Sequence, residues 1–99
     1  MIEMIRNNLV VDASTASWMA SRVYEDGLMA HINVGFPYED NGVHVCSVLL
    51  DYAVDADNEI SCLLAKASER ASRFELKRIT PPNSVMEGQK NQCHEIHRR

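Results

Sequence analysis

The sequence predicts an α+β domain: an antiparallel β-meander of three to four strands packed on one C-terminal amphipathic helix, followed by a disordered C-terminal tail. Residues 28–36 and 43–52 alternate apolar and polar side chains, as half-buried strands do. Residues 60–74 instead repeat apolar side chains every three or four positions, as a helix on a core does. Ninety-nine residues suffice for one modest core. We therefore predict one domain over residues 1–79 and a flexible tail over residues 80–99.

The N-terminal quarter has two interpretations. Residues 8–12 are apolar in the centre and predict a short strand. Residues 18–24 can form a strand that pairs with 28–36 through a tight turn at Asp26-Gly27. Alternatively, Asp12 or Ser14 caps a helix that runs to Asp26 and ends at Gly27. We favour the strand, because this segment is rich in Ser, Thr, Trp, Val and Tyr, which are indifferent helix formers.

The two central strands form a hairpin whose register depends on Pro37. A two-residue turn at Asn41-Gly42 would draw Pro37, which lacks an N–H, into the ladder. A five-residue loop over 38–42 avoids this and places more apolar area on one face, so we predict that loop. Its register pairs Phe36 with His44, Val34 with Cys46, Ile32 with Val48 and Ala30 with Leu50.

The helix is predicted over about residues 57–77. One stripe carries its apolar side chains, which are Ile60, Leu63, Leu64, Ala67, Ala71 and Phe74. Acidic residues at its start and basic residues at its end suit the helix dipole. Pro81-Pro82 requires the helix to end before them.

Charge is distributed unevenly along the chain. Between Val23 and Ala65 there are eight acidic residues and no lysine or arginine. In the predicted meander six of the carboxylates share one rim of the sheet, namely Glu25, Asp26, Asp51, Asp55, Asp57 and Glu59. Acids also suit turns and helix starts, so a merely solvated rim is the alternative. As a binding surface, the rim would attract a basic protein surface, such as one that handles nucleic acid.

The first functional hypothesis is therefore a small acidic, non-catalytic protein-binding module or inhibitor. A phage-encoded blocker of a basic, nucleic-acid-handling host defence complex is one concrete form. The second hypothesis is a self-associating, dimeric domain that uses the sheet face away from the helix. On that predicted face lie residue types enriched at interfaces, here Trp18, Arg22, Tyr24, Met29 and His31. Residues 1–16 could instead fold over this face and cover it.

A third hypothesis is metal binding through the tail, where Cys93, His94 and His97 form half of a zinc-type site. The second ligand pair that such a site needs is missing. Asp55, Asp57 and Glu59 begin an oxygen-ligand loop, but Ile60 and Lys66 replace the glycine and the acid of a calcium loop. We expect no metal and no cofactor.

Other classes of function are disfavoured. No phosphate loop, nucleophile elbow or zinc-protease motif is present, and we expect no enzymatic activity. The net charge of −4 argues against direct nucleic-acid binding. No apolar run is long enough to span a membrane, and no secretory signal precedes the domain. Three cysteines, an odd number, are interpreted as thiols in the cytoplasm.

Overall fold

The computed structural model describes residues 3–79. The elements follow one another as β1 (Met4–Asp12), α1 (Ala13–Glu25), β2 (Ala30–Val34), β3 (Tyr38–Asp40), β4 (Val43–Ala53), a short 3-10 helix (Val54–Ala56), α2 (Asp57–Arg70) and β5 (Phe74–Ile79). The sheet order is β2-β4-β1-β5, with β3 also paired to β4. All pairs are antiparallel.

Both helices pack on the same face of this sheet. Alternate residues of β1 and β4 meet the helices in one core, which contains Ile5, Leu9, Val11, Cys46, Val48, Leu50 and Tyr52 from the strands and Ala16, Met19, Val23, Ile60, Leu63, Leu64 and Ala67 from the helices. The predicted α+β class with an antiparallel sheet is confirmed, with two helices instead of one. The connectivity is that of two interlocked βαβ units, the ferredoxin-like arrangement.

The predicted strand over residues 18–24 is wrong, because Ala13–Glu25 form α1. Asp12 caps the helix by accepting a hydrogen bond from the Thr15 amide at 3.1 Å. Gly27, with a φ of +63°, ends it. The amides of Gly27 and Leu28 donate to carbonyls in the last turn, a Schellman motif. The caps and the burial of one side of the helix outweigh the weak helix propensity of its residues.

The predicted hairpin loop is also wrong. Asn41 and Gly42 form a two-residue turn with positive φ at both positions. Ile32 pairs with Leu50 and Val34 with Val48, two residues away from the predicted register but on the predicted faces. Three residues, 35–37, lie opposite only two residues of β4, which makes a bulge. The bulge keeps Pro37 out of the ladder, so no longer loop is required.

The predicted helix over 57–77 ends early, at Arg70, and Phe74–Ile79 form β5. Ala71 adopts an extended backbone, and β5 then pairs with the edge of β1 that β4 leaves open. Phe74 packs against the core, as its place in the apolar stripe predicted, but from a strand. Residues 74–77 also alternate apolar and polar side chains, so the pairing partner decides between the two structures.

Asp12 connects three parts of the fold. One carboxylate oxygen accepts hydrogen bonds from the amide and hydroxyl of Thr15, at 3.1 and 3.0 Å. The other accepts from the amides of Ser72 and Arg73, at 3.0 and 3.5 Å. Burial alone would raise the pKa of Asp12, but these hydrogen bonds outweigh it and lower the pKa below its ordinary value. The ionised carboxylate therefore stabilises the native fold.

Replacement of Asp12 by alanine should lower the free energy of unfolding by about 2 kcal/mol at pH 7, because three backbone amides lose their acceptor. The lowered native pKa makes this contribution complete above about pH 4. It is lost as the pH falls through the native value. Urea unfolding of Asp12→Ala and wild type should thus converge in acid, while the exposed control Glu69→Ala stays close to wild type at every pH. A difference between Asp12→Ala and wild type that does not change with pH would contradict the role of the ionised form.

Candidate protein-binding surface

The structure places the six predicted rim carboxylates at one end of the sheet. Glu25 and Asp26 end α1, and Leu28 then leads into β2, whose first residue pairs with Tyr52 near the end of β4. Asp51 lies beside Tyr52 in β4. The other three lie where the chain turns from β4 into α2, which are Asp55, Asp57 and Glu59. The common location follows from topology, although Glu25 and Asp26 reach it from a helix and not from a strand.

Arginines neutralise half of this set. Arg22 bonds Glu25 at 2.8 Å and Asp26 at 3.1 Å, both one turn along α1. Arg6 makes two parallel hydrogen bonds with Asp51, each 2.9 Å long, across the β1–β4 pair. These three carboxylates therefore have internal partners, and a partner protein would have to compete for them.

Asp57 belongs to a polar network between the sheet and α2. The Tyr52 hydroxyl donates to Asp57 at 3.3 Å and accepts from Asn7 at 3.1 Å and Arg78 at 3.0 Å. Arg78 also donates to the Asn7 side-chain oxygen at 3.1 Å. Burial raises the pKa of Tyr52, so the phenol stays protonated and can donate. The network holds β1, β4, β5 and the start of α2 together.

Asp55 and Glu59 differ from the other four. Within residues 3–79 no hydrogen bond or ion pair engages either side chain, nor that of Glu3. These three carboxylates border a depression of about 1000 Å³ whose other lining residues are Met29, Ala53, Val54, Ala56 and Asn58. Met29 is 72% exposed. We call this depression the acidic groove; its lining combines apolar side chains with carboxylates that have no partner in the described chain.

The predicted interface residues do not share a sheet face. Trp18, Arg22 and Tyr24 lie on α1, in the layer that covers the other side of the sheet. Trp18 is half-buried under the guanidinium of Arg70, which lies 4.9 Å from the ring centre. Met29 precedes β2 and lines the acidic groove, and His31 is on the uncovered face of β2. The premise of a common strand face is therefore wrong, while a role in binding stays a prediction.

The face opposite the helices is open at its centre, while Val45 at one end of it is fully buried. We call it the open face; cross-strand neighbours on it form rows that run His31-Asp51-Arg6-Ile79 and Asn33-Leu49-Asn8-Lys77. Val10 and Leu49 are half-buried at its centre, in a depression of about 880 Å³. Ferredoxin-like proteins that bind single-stranded RNA stack bases on aromatic side chains of the central strands. The described central strands, β1 and β4, present no aromatic side chain on this face.

Sequence reasoning missed several functional candidates. Glu3 precedes the first predicted strand and gave no pattern, and Asn7 is a fully buried amide that a sequence cannot distinguish from a surface one. Phe36 is 93% exposed because the bulge turns it outward, whereas alternation predicted a core position. Pro37 was the available signal, since proline in a strand often marks a bulge.

Residues 3–79 contain neither a metal-binding cluster nor a membrane-spanning helix. No group of three or more potential ligands among residues 3–79 is arranged to hold a metal ion. Cys93, His94 and His97 lie outside that range. None of the helices within it is long and apolar enough to cross a bilayer.

The fold has relatives among solved structures. A DUF3240 family protein from Shewanella baltica superposes with a TM-score of 0.61 at 9% identity, over 89% of this chain and all of that one. CutA from Synechococcus elongatus gives 0.52 at 16%, over 82% and 79%. The C-terminal domain of MgtC from Mycobacterium tuberculosis gives 0.51 at 10%, over 87% and 95%. At these identities the likeness supports the fold alone. No protein-family model matches the sequence, and no curated protein matches it.

Replacement of Tyr52 by phenylalanine should cost about 1–3 kcal/mol, because Asn7, Asp57 and Arg78 would lose a common partner near the core. Thermal or urea unfolding measures the loss. Tyr24→Phe is the matched control, since Tyr24 is 84% exposed and its hydroxyl has no partner within residues 3–79. Equal stability of the two variants would show that the network contributes nothing.

Proposed function

We propose that this chain is a non-catalytic protein-binding module, and that it captures a basic, amphipathic segment of its partner in the acidic groove. The observation that carries the proposal is that Glu3, Asp55 and Glu59, without partners in the described chain, line one depression together with apolar residues that include an exposed methionine. Carboxylates at the border steer a basic partner and set its orientation, and apolar contacts at the centre supply affinity.

The concrete form we propose is an inhibitor. A basic surface that normally binds nucleic acid attracts an acidic protein electrostatically, and the bound protein then blocks access of the nucleic acid. A phage-encoded inhibitor of a host defence complex would act in this way. Such a setting is cytoplasmic, which the odd number of cysteines in the sequence also predicts.

The test is binding of a fluorescein-labelled amphipathic peptide of lysine and leucine, followed by anisotropy at low and high salt. Asp55→Asn/Glu59→Gln should weaken binding about tenfold, or 1.4 kcal/mol. The control Glu39→Gln/Glu69→Gln removes the same charge elsewhere and should bind almost as wild type. An affinity that does not change with salt, or that falls equally in both double variants, would contradict binding in the acidic groove.

The native partner can then be sought with the same variants as bait. A specific partner is retained from a host lysate by wild type and by Glu39→Gln/Glu69→Gln, and is released from Asp55→Asn/Glu59→Gln. Proteins retained by all three baits do not use the groove.

Self-association is a second proposal, and one observation favours it. Phe36 projects from the bulge and is 93% exposed, beside the open face of the sheet. Gly35 anchors the bulge, since its amide donates to the Ser47 carbonyl at 2.8 Å. A second copy could receive the ring in its open-face depression. That contact has an aromatic anchor and a half-buried apolar centre, as interface hot spots do.

Sedimentation velocity over a range of concentrations tests self-association. Phe36→Ser should shift the chain toward monomer, because it removes the exposed ring and leaves the core intact. Tyr24→Ser, an equally exposed aromatic on the helix layer, should leave the distribution unchanged. A wild type that stays monomeric at the highest concentration would end this second proposal.

A further inference from the structure

We propose that two copies of this chain associate edge to edge through β5, so that their sheets join into one continuous antiparallel sheet. The inference goes beyond the proposed function, because it uses neither the acidic groove nor the ring of Phe36. Its grounds are an unpaired strand edge, the direction of the amides on that edge and the charges that one register brings together.

The outer edge of β5 has no pairing partner within residues 3–79. β5 is the last strand in the order β2-β4-β1-β5, and all six of its residues continue one regular ladder with β1. It contains no proline, and its apolar residues Leu76 and Ile79 are 43% and 46% exposed. A regular strand edge of this kind is a template for a further strand.

The opposite edge of the sheet, formed by β2 and β3, is less suited to pairing. The Ala30 amide is already bonded to the Leu28 carbonyl at 2.8 Å, and the bulge over residues 35–37 includes Pro37 and interrupts the edge. Bulges and prolines are devices by which proteins protect an edge from pairing. Of the two edges, β5 is therefore the one that can receive another strand.

The hydrogen bonds to β1 determine which amides of β5 point outward. The Asp12 amide donates to the Arg73 carbonyl at 3.3 Å, and these two residues continue the register of the β1–β5 pair. Because hydrogen-bonded pairs alternate along an antiparallel ladder, every second residue after Arg73 bonds to β1. The residues between them direct their N–H and C=O groups to the outer edge, and these are Phe74, Leu76 and Arg78.

Outward groups must meet outward groups, so the two-fold axis of a symmetric pair passes through a single residue of β5. An axis at Glu75 or at Lys77 would place like charges opposite each other, which is destabilising. An axis at Leu76 places Leu76 opposite its own copy and Phe74 opposite Arg78. That register pairs all the outward residues of the strand.

The register centred on Leu76 also pairs opposite charges. Glu75 of each copy then lies opposite Lys77 of the other, in the non-hydrogen-bonded positions where cross-strand side chains are closest. Lysine on an edge normally discourages pairing, but here it finds a carboxylate. Glu75 is available, because its neighbour Arg73 lies 3.9 Å from it and 2.6 Å from Asp40. The sequence of β5 is therefore complementary to itself in the register that its backbone allows.

Sedimentation velocity of charge variants tests the pairing. Glu75→Lys and Lys77→Glu each make both cross-strand pairs like-charged, so each should weaken dimerisation about tenfold or more. Both side chains are on the open face, away from the core. Glu69→Lys, the same change of charge on α2, should dimerise as wild type does.

Charge exchange provides the rescue. Glu75→Lys/Lys77→Glu restores opposite charges and should dimerise as wild type does. An equimolar mixture of the two single variants should form a heterodimer, because one chain then presents two lysines and the other two glutamates. A monomeric wild type, single variants that dimerise normally, or a mixture that stays monomeric would overturn the inference.

Amide hydrogen exchange locates the contact. The Leu76 and Arg78 amides should exchange quickly in dilute protein and slowly in concentrated protein, whereas the Glu75 and Lys77 amides, bonded to β1, should be slow in both. Fast exchange at Leu76 in a dimeric sample assigns the dimer to another surface and overturns the inference.

The same readout separates this contact from the open-face contact proposed above. Phe36→Ser should leave the protection of the Leu76 amide unchanged, and Lys77→Glu should remove it. The reverse pattern would retain the contact through Phe36 and overturn the pairing through β5.

Discussion

The Asp12 carboxylate is the constraint on which the rest of the structure depends. It ends β1, caps α1 and accepts from the two amides that turn the chain from α2 into β5. The cap and the bonds to the two amides use the same carboxylate. Because an anion that accepts several N–H bonds is favoured in its ionised form, one residue determines where the first helix begins and where the last strand joins the sheet.

The acidic end follows from that topology. α1 runs back from Asp12 toward the start of β1, and both the end of β4 and the start of α2 lie at that same end of the sheet. Turns and helix starts favour acidic residues, so several carboxylates collect there. Arg6 and Arg22 compensate part of the charge, and the Tyr52 network engages Asp57. The carboxylates without a partner in residues 3–79, which are Glu3, Asp55 and Glu59, lie around Met29 and Val54, where an apolar surface is also exposed. The coincidence of the two properties distinguishes this groove from the solvated rim that acids alone would make.

The corrections share one physical cause, which is that partners distant in sequence decide local structure. Trp18 and Tyr24 are indifferent helix formers, but Ala16, Met19 and Val23 share one side of a helix, and burial of that side against the sheet outweighs the weak propensity. Phe74 fits a helical stripe and a strand equally well, and the open edge of β1 selects the strand. Pro37 is excluded from the ladder by a one-residue bulge, which changes the register without moving Ile32 or Val34 to the other face.

By itself the sequence determined the α+β class, the presence of strands β2 and β4, the start of α2 and the common position of the six rim carboxylates, because periodicity and charge are local properties of the chain. The sheet order, which puts β2 at the edge and β1 beside β4 at the centre, was not among them. Only the tertiary structure decided that residues 13–25 are helical, that residues 74–79 are a strand, and which carboxylates keep their charge available. The reason is that a hydrogen bond such as Asp12 to Ser72, or Arg78 to Tyr52, joins residues far apart in the chain, and its free energy exists only after the chain has folded.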